Sequence, residues 1–151
     1  MFERYSEDAR SVMRHARMEV QKLRHDHLGT EHILLGLIEV KQGVAASVLR
    51  HKEINLSHVK EMVAKLVKPF SLNEDVDYEA LPRTSHAQNV INDAVKEARE
   101  LKHNFIGTEH LLLGLLHENS GTGAQIIQNL GMELDDVRKE VLRFLSIEQE
   151  V

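Results

Sequence analysis

Apolar residues recur every three or four positions in four segments of the first half of the chain, and four matching segments follow in the second half. Ala9, Val12, Met13, Ala16, Val20 and Leu23 form the first stripe. Ser6 stands before it, with Glu7 and Asp8 directly after. That order, an N-cap followed by acids in the first turn, predicts a helix running to about Arg24. Its counterpart starts at Thr84 and buries Ala87, Val90, Ile91, Ala94, Ala98 and Leu101. Turns are expected at His25–Gly29 and His103–Gly107. Thr30 and Thr108 then read as the N-caps of second helices that reach about Val40 and Glu118. Gly43 and Gly121 end those helices or open third ones, at about Val44–His51 and Gly123–Asn129. Asn55 caps a fourth helix with Leu56, Val59, Met62, Val63 and Leu66 on one face, and Leu134, Val137, Val141, Leu142 and Leu145 repeat that pattern.

The two halves align at an offset of 78 residues, without a gap, from Ser6/Thr84 to Val67/Leu145. Of the 62 aligned positions 19 are identical, so duplication explains the match better than chance. The longest shared run is Gly29-Thr30-Glu31-His32 against Gly107-Thr108-Glu109-His110. Each is followed by a near-identical apolar stretch containing Gly36 or Gly114. A glycine inside a helix costs ~1 kcal/mol relative to Ala, so its recurrence predicts close helix–helix contact. The expected fold is all-α, with eight helices as two pseudo-twofold-related four-helix repeats. Residues 1–67 form the first repeat, 68–83 a linker and 84–146 the second, in one compact domain. The linker carries Pro69 and Pro82 and the acids Glu74, Asp75, Asp77 and Glu79.

At 151 residues the chain has the size of one ordinary domain. A ~60-residue repeat alone would bury only about 60% of its unfolded surface, so each half is expected to need the other. There is no cysteine, which excludes disulfides and thiol chemistry. A net charge of −5 argues against non-specific nucleic-acid binding. No apolar stretch approaches the ~20 residues that span a bilayer. The first residues lack the basic-then-apolar pattern of a signal peptide, so a cytoplasmic protein without membrane contact is expected.

Most identical positions are apolar or glycine and belong to the core. The polar exceptions are the pairs Glu19/Glu97, His25/His103, Thr30/Thr108, Glu31/Glu109 and His32/His110. A glutamate in a first helical turn is favoured by the helix dipole. It can equally accept a guanidinium or ammonium from a peptide, while nearby hydroxyls and backbone N–H groups take a phosphate. His32 and His110 read as packed, hydrogen-bonded histidines. His25, Asp26, His27, Glu31 and His32 are rich in metal-ligating types, but the second copy has Asn104 and Phe105 at the positions of Asp26 and His27. No metal is expected. Catalytic motifs are missing: Gly121-Thr122-Gly123-Ala124 has neither the spacing nor the lysine of a phosphate loop, and there is no nucleophile elbow or dinucleotide fingerprint.

The doubled Gly-Thr-Glu-His-(Ile/Leu)-Leu-Leu-Gly-Leu, the Leu-x-His turn before it and the Met-Phe-Glu-Arg-Tyr-Ser opening resemble the N-terminal repeat domain of Clp ATPases, most closely the ClpC type of Clp protease ATP-binding subunit. The resemblance covers about residues 1–146. It implies a non-catalytic domain that docks protein substrates and adaptors for a Clp ATPase ring and its peptidase. ATP and magnesium would serve only ATPase modules outside these residues, and no cofactor is expected here. It also implies a pocket for phosphoarginine in each repeat, with the motif glutamates Glu31 and Glu109 on the guanidinium and the cap hydroxyls Ser6 and Thr84 helping to hold the phosphate. Thr30 and Thr108 belong to the same motif. The alternative is a stand-alone accessory protein that docks on and stabilises the protease complex without reading a tag. The sequence departs from the family at Arg83-Thr84-Ser85-His86, where an aromatic-Thr-Pro-Arg run is usual, and after each second helix.

Overall fold

The computed structural model describes residues 4–69 and 76–150. Among them the chain forms eight α-helices: α1 (Glu7–Lys22), α2 (Thr30–Glu39), α3 (Val44–His51), α4 (Leu56–Leu66), α5 (Ser85–Glu100), α6 (Thr108–Glu118), α7 (Thr122–Asn129) and α8 (Leu134–Glu150). The first three helices of each half match in length to within one residue while α8 is longer than α4, and the all-α, two-repeat expectation holds. Met1–Glu3 of the opening motif, and Glu74 and Asp75 of the linker, lie outside the described residues.

Local chemistry sets the helix ends. Ser6 Oγ accepts from Ala9 N–H at 3.1 Å and Thr84 Oγ1 from Ala87 N–H at 3.0 Å, as expected of N-caps. Asn55 caps α4 through His58 N–H. At the far ends of α1 and α5, Arg24 and Lys102 take left-handed φ values of 59° and 61°. The next N–H groups, of His25 and His103, reach back to Val20 and Ala98 carbonyls at 2.9 Å. This Schellman turn stops each helix and aims a histidine back toward the start of the next one.

One continuous core spans both repeats. α2 and α6 lie at its centre, and Ile33, Leu34, Leu35, Leu37, Leu111, Leu112, Leu113 and Leu115 are buried all round. Helices apolar on every side are the mark of a central position. α1 packs on α2 and α5 on α6. Gly36 sits against the Val12 carbonyl and Gly114 against that of Val90, where a Cβ on either glycine would collide with backbone oxygen. Of the predicted core positions, Leu66 departs. It is the last residue of α4 and is 40% exposed, because the chain leaves the core there.

The repeats are stitched by exchanged contacts. Leu28 pairs in parallel with Arg83, and Tyr5 with Ile106, each a one-residue bridge. The bridging bonds are Leu28 N–H to Pro82 O, Thr84 N–H to Leu28 O, Ser6 N–H to Ile106 O and Ile106 N–H to Arg4 O, at 2.9 to 3.0 Å. Residues 5 and 83, and 28 and 106, are equivalent under the 78-residue offset, so one bridge is the twofold image of the other.

Candidate functional site

The N-caps of α2 and α6 are Gly29 and Gly107, not Thr30 and Thr108. This corrects the sequence reading by one residue. Gly29 and Gly107 keep extended backbone and close the capping box with His32 and His110, while the Glu31 and Glu109 carboxyls fold back over them, where a Cβ would push the carboxyl aside. The threonines begin their helices instead and reach across the molecule. Thr30 Oγ1 accepts from Gly123 N–H at 2.8 Å at the start of α7, and Thr108 Oγ1 accepts from Ala45 N–H at 3.1 Å at the start of α3. Each caps a helix of the opposite repeat.

The histidines complete the turn. His32 Nδ1 accepts from Gly29 N–H at 2.9 Å, the part usually played by a Glu or Gln three residues after the cap. The other nitrogen, Nε2, must then carry the proton, and it donates to His25 Nδ1 at 2.7 Å. The His25 ring in turn hydrogen-bonds the Val67 backbone. His110 and His103 repeat the chain at 2.8 and 2.7 Å. Burial, with a neighbouring histidine, pushes His32 down to about 3 and His110 down to about 4. All four are capping and packing residues.

His25, Glu31 and His32, and likewise His103, Glu109 and His110, each offer ligand atoms within 4.8 Å of one another. Their hydrogen bonds argue against a cation. Metal on His32 Nε2 would displace the proton given to His25, and the Nδ1 proton that ligation normally requires would face the Gly29 N–H.

Glu31 and Glu109 are 7% and 8% exposed. Desolvation raises the Glu31 pKa, partly offset by a hydrogen bond from its own N–H. A buried carboxyl at the positive end of a helix is an electrostatically favourable seat for a cation. The bridges set which cap residue adjoins the turn before each glutamate. Thr84 follows Arg83, which pairs with Leu28 in the turn leading to Glu31. Ser6 follows Tyr5, which pairs with Ile106 in the turn leading to Glu109. A pocket at either turn would therefore draw on both repeats, with the glutamate from one and the nearest cap hydroxyl from the other. Next to Thr84 a cavity of 560 Å³ opens, lined also by Leu28, Arg83 and Ser85.

The identical Glu19 and Glu97 have a structural explanation. Glu19, buried in α1, lies 3.7 Å from Lys60 of α4, and Glu97 of α5 makes two contacts of 3.0 and 3.1 Å with Arg138 of α8. Lys60 and Arg138 are equivalent positions. The pair His15–Glu39 at 2.7 Å is answered by Asp93–His117 at 3.1 Å, with acid and base exchanged. Neither link was read from the sequence, although the matching offset of both partners is visible in it.

The Clp repeat (R) N-terminal domain family matches at residues 4–81 and again at 83–151. The chain belongs to that family. It is 42% identical over its full length to the chaperone protein ClpC1 of Arabidopsis thaliana chloroplasts and to a ClpA homolog, an ATP-dependent Clp protease ATP-binding subunit, of Guillardia theta. It spans only 16% and 18% of those proteins. In structure it resembles the N-terminal domain of ClpD from Arabidopsis thaliana (TM-score 0.76, 22% identity, 96% of this chain and 99% of that one). The Hsp104 N-terminal domain of Candida albicans is similar too (TM-score 0.76, 20% identity, 93% and 90% covered). So is a ClpV N-domain in complex with a VipB peptide (TM-score 0.69, 17% identity, 95% and 88% covered).

Proposed function

We propose that this Clp repeat domain docks protein substrates and adaptors for a Clp-type ATP-dependent unfoldase and protease in the cytoplasm, without catalysis of its own, and that its two cross-repeat pockets take phosphoarginine. The pairing of Glu31 with the Thr84 cap, and of Glu109 with Ser6, carries the reading. A guanidinium suits the buried carboxyl, because charge-assisted bonds strengthen where water is excluded. A phosphate suits the adjoining helix start. The cap hydroxyl already accepts from the backbone, so its own O–H remains to donate, and the first N–H groups of the helix point the same way. The peptide bound by a ClpV N-domain of the same fold supports a docking role.

The two pockets are not equal. α5 has no acid in its first turn and Arg83 precedes its cap, whereas Glu7 and Asp8 follow Ser6 at the start of α1. Two carboxylates beside a phosphate oppose it, so Thr84/Glu31 is the tighter site. Titration calorimetry with a peptide carrying one phosphoarginine should give two sites of different affinity. Glu31→Gln should abolish the tighter and Glu109→Gln the weaker. Unchanged binding by the double variant, or equal binding of the unphosphorylated peptide, would overturn the assignment.

A further inference from the structure

α1 carries Arg10, Arg14 and Arg17 four and three residues apart, so the three side chains share one face. Arg83 faces them from the end of the linker. A cavity of 450 Å³ is lined by Tyr5, Arg10, Met13, Arg14, Arg17 and Arg83. Met13, Arg17 and Arg83 also line the neighbouring cavity of 560 Å³, which runs on over Leu28 and Leu81. A third, of 430 Å³, continues along α1 past Arg14 and Arg17 to Met18 and Tyr78. Glu79 is the one acid lining this groove, so its charged side chains carry +3 in a chain of net −5.

Arg14 and Arg17, at the middle of this face, are not engaged in ion pairs among the described residues. Arg10 lies 3.6 Å from Glu7, and Arg83 donates to Gln88 at 3.1 Å. Arg14 donates to Ser11 at 2.8 Å, and among the described residues neither it nor Arg17 lies within ion-pair distance of a carboxylate. The duplication supplies a control. At the equivalent positions of α5 stand Gln88, Asn92 and Val95, and that helix has the same length and packs the same way. A helix of this length and packing therefore forms without the basic face.

We propose that this face of α1 binds an acidic, partly apolar segment of a protein partner through Arg14 and Arg17, a contact that does not use Glu31 or Glu109, although the groove adjoins the Thr84 pocket. Carboxylates would take the forked guanidinium groups of Arg14 and Arg17, while apolar side chains lie on Met13 and Met18, whose flexible thioethers adapt to varied shapes. Met18 is 49% exposed, which is unusual for so large an apolar side chain beside charged neighbours. A nucleic acid fits less well. It has no apolar side chains for the methionines, and its continuous phosphates would run off the groove onto a surface of net negative charge.

The test is fluorescence anisotropy with a labelled peptide of alternating glutamate and leucine, and with its lysine-for-glutamate counterpart as control. The glutamate peptide should bind, more weakly as salt is raised. Arg14→Asn with Arg17→Val installs the residues α5 already uses and should weaken binding at least ~10-fold, as two charge-assisted contacts are lost. Arg14→Gln with Arg17→Gln keeps strong helix formers and should show the same loss. Glu31→Gln with Glu109→Gln should leave this binding intact, which separates it from the phosphoarginine reading. Equal affinity of folded arginine variants and wild type would overturn the proposal. So would binding of the lysine peptide as tightly as the glutamate one, or tighter binding of single-stranded DNA or phosphatidylserine vesicles through the same arginines.

Discussion

A histidine in place of the usual Glu or Gln of a capping box makes the start of α2 sensitive to acid. His32 must stay neutral at Nδ1 to accept from Gly29 N–H, and burial holds its pKa near 3 against an ordinary value of 6.5. His110, near 4, repeats the situation in α6. Both folded-state values lie below the unfolded one. Their contribution is therefore fully present above about pH 6.5 and is lost as pH falls toward 4, where the unfolded chain takes up protons the folded one refuses. A pKa difference of one between the folded and unfolded chain corresponds to ~1.4 kcal/mol, so the loss amounts to a large part of a small domain's stability. Glu39 works in the opposite sense. Desolvation and its Glu19 neighbour raise it to about 7, and its contribution fades as pH rises through that value. Comparing variants isolates the histidines. His32→Gln with His110→Gln keeps an acceptor for the cap N–H and removes the titration. Its melting temperature should fall less steeply than that of wild type between pH 6.5 and 4. Parallel curves would refute the assignment. Part of this was legible in the sequence: the shared His25/His103 and His32/His110 pairs stood out as polar identities. Their bonding to each other was not, because it depends on a left-handed Arg24 or Lys102, a conformation no local pattern announces.

Helices were read well because their apolar periods are strong and occur twice. Their junctions were read less well, and Gly29-Thr30 shows why. Both residues are acceptable caps, and in the fold His32 closes the box on Gly29 while the Thr30 hydroxyl is taken by Gly123 N–H of α7, a contact distant in sequence. Gly36 and Gly114 were legible for the converse reason. A glycine in mid-helix has an intrinsic cost, so keeping it in both copies signals a packing need. In the fold that need is the approach of α2 to the Val12 carbonyl and of α6 to that of Val90. Gly36→Ala would gain helix propensity at an exposed site, but here the methyl meets backbone oxygen of α1, which has no rotamer to escape by. The variant should be less stable by about 1–3 kcal/mol, the usual cost of overpacking, and denaturant unfolding would measure it. Gly114→Ala should behave alike. A neutral or stabilising result would mean that α1 slides freely on α2.

The relation between the repeats is the level at which sequence says least. The 78-residue offset showed that two copies exist, but not that each finishes the other. Thr30 caps α7 and Thr108 caps α3, Leu28 gives and takes hydrogen bonds at Pro82 and Thr84, and the core crosses the boundary without a break. These are consequences of a twofold axis, and a periodicity along the chain carries no record of where that axis runs. The exchange has a thermodynamic consequence. A fragment ending at Val67 would lose the partner of Leu28, leave Ala45 N–H at the start of α3 without its cap, and bare one side of α2, whose residues are apolar all round. At ~60 residues such a unit is already marginal. Circular dichroism of the 1–67 fragment should therefore show little helix and no cooperative melt, and mixing it with the 76–151 fragment should restore both. Independent folding of either half would make the repeats separable domains. It would also remove the reason for each candidate pocket to draw its glutamate and its hydroxyl from different copies.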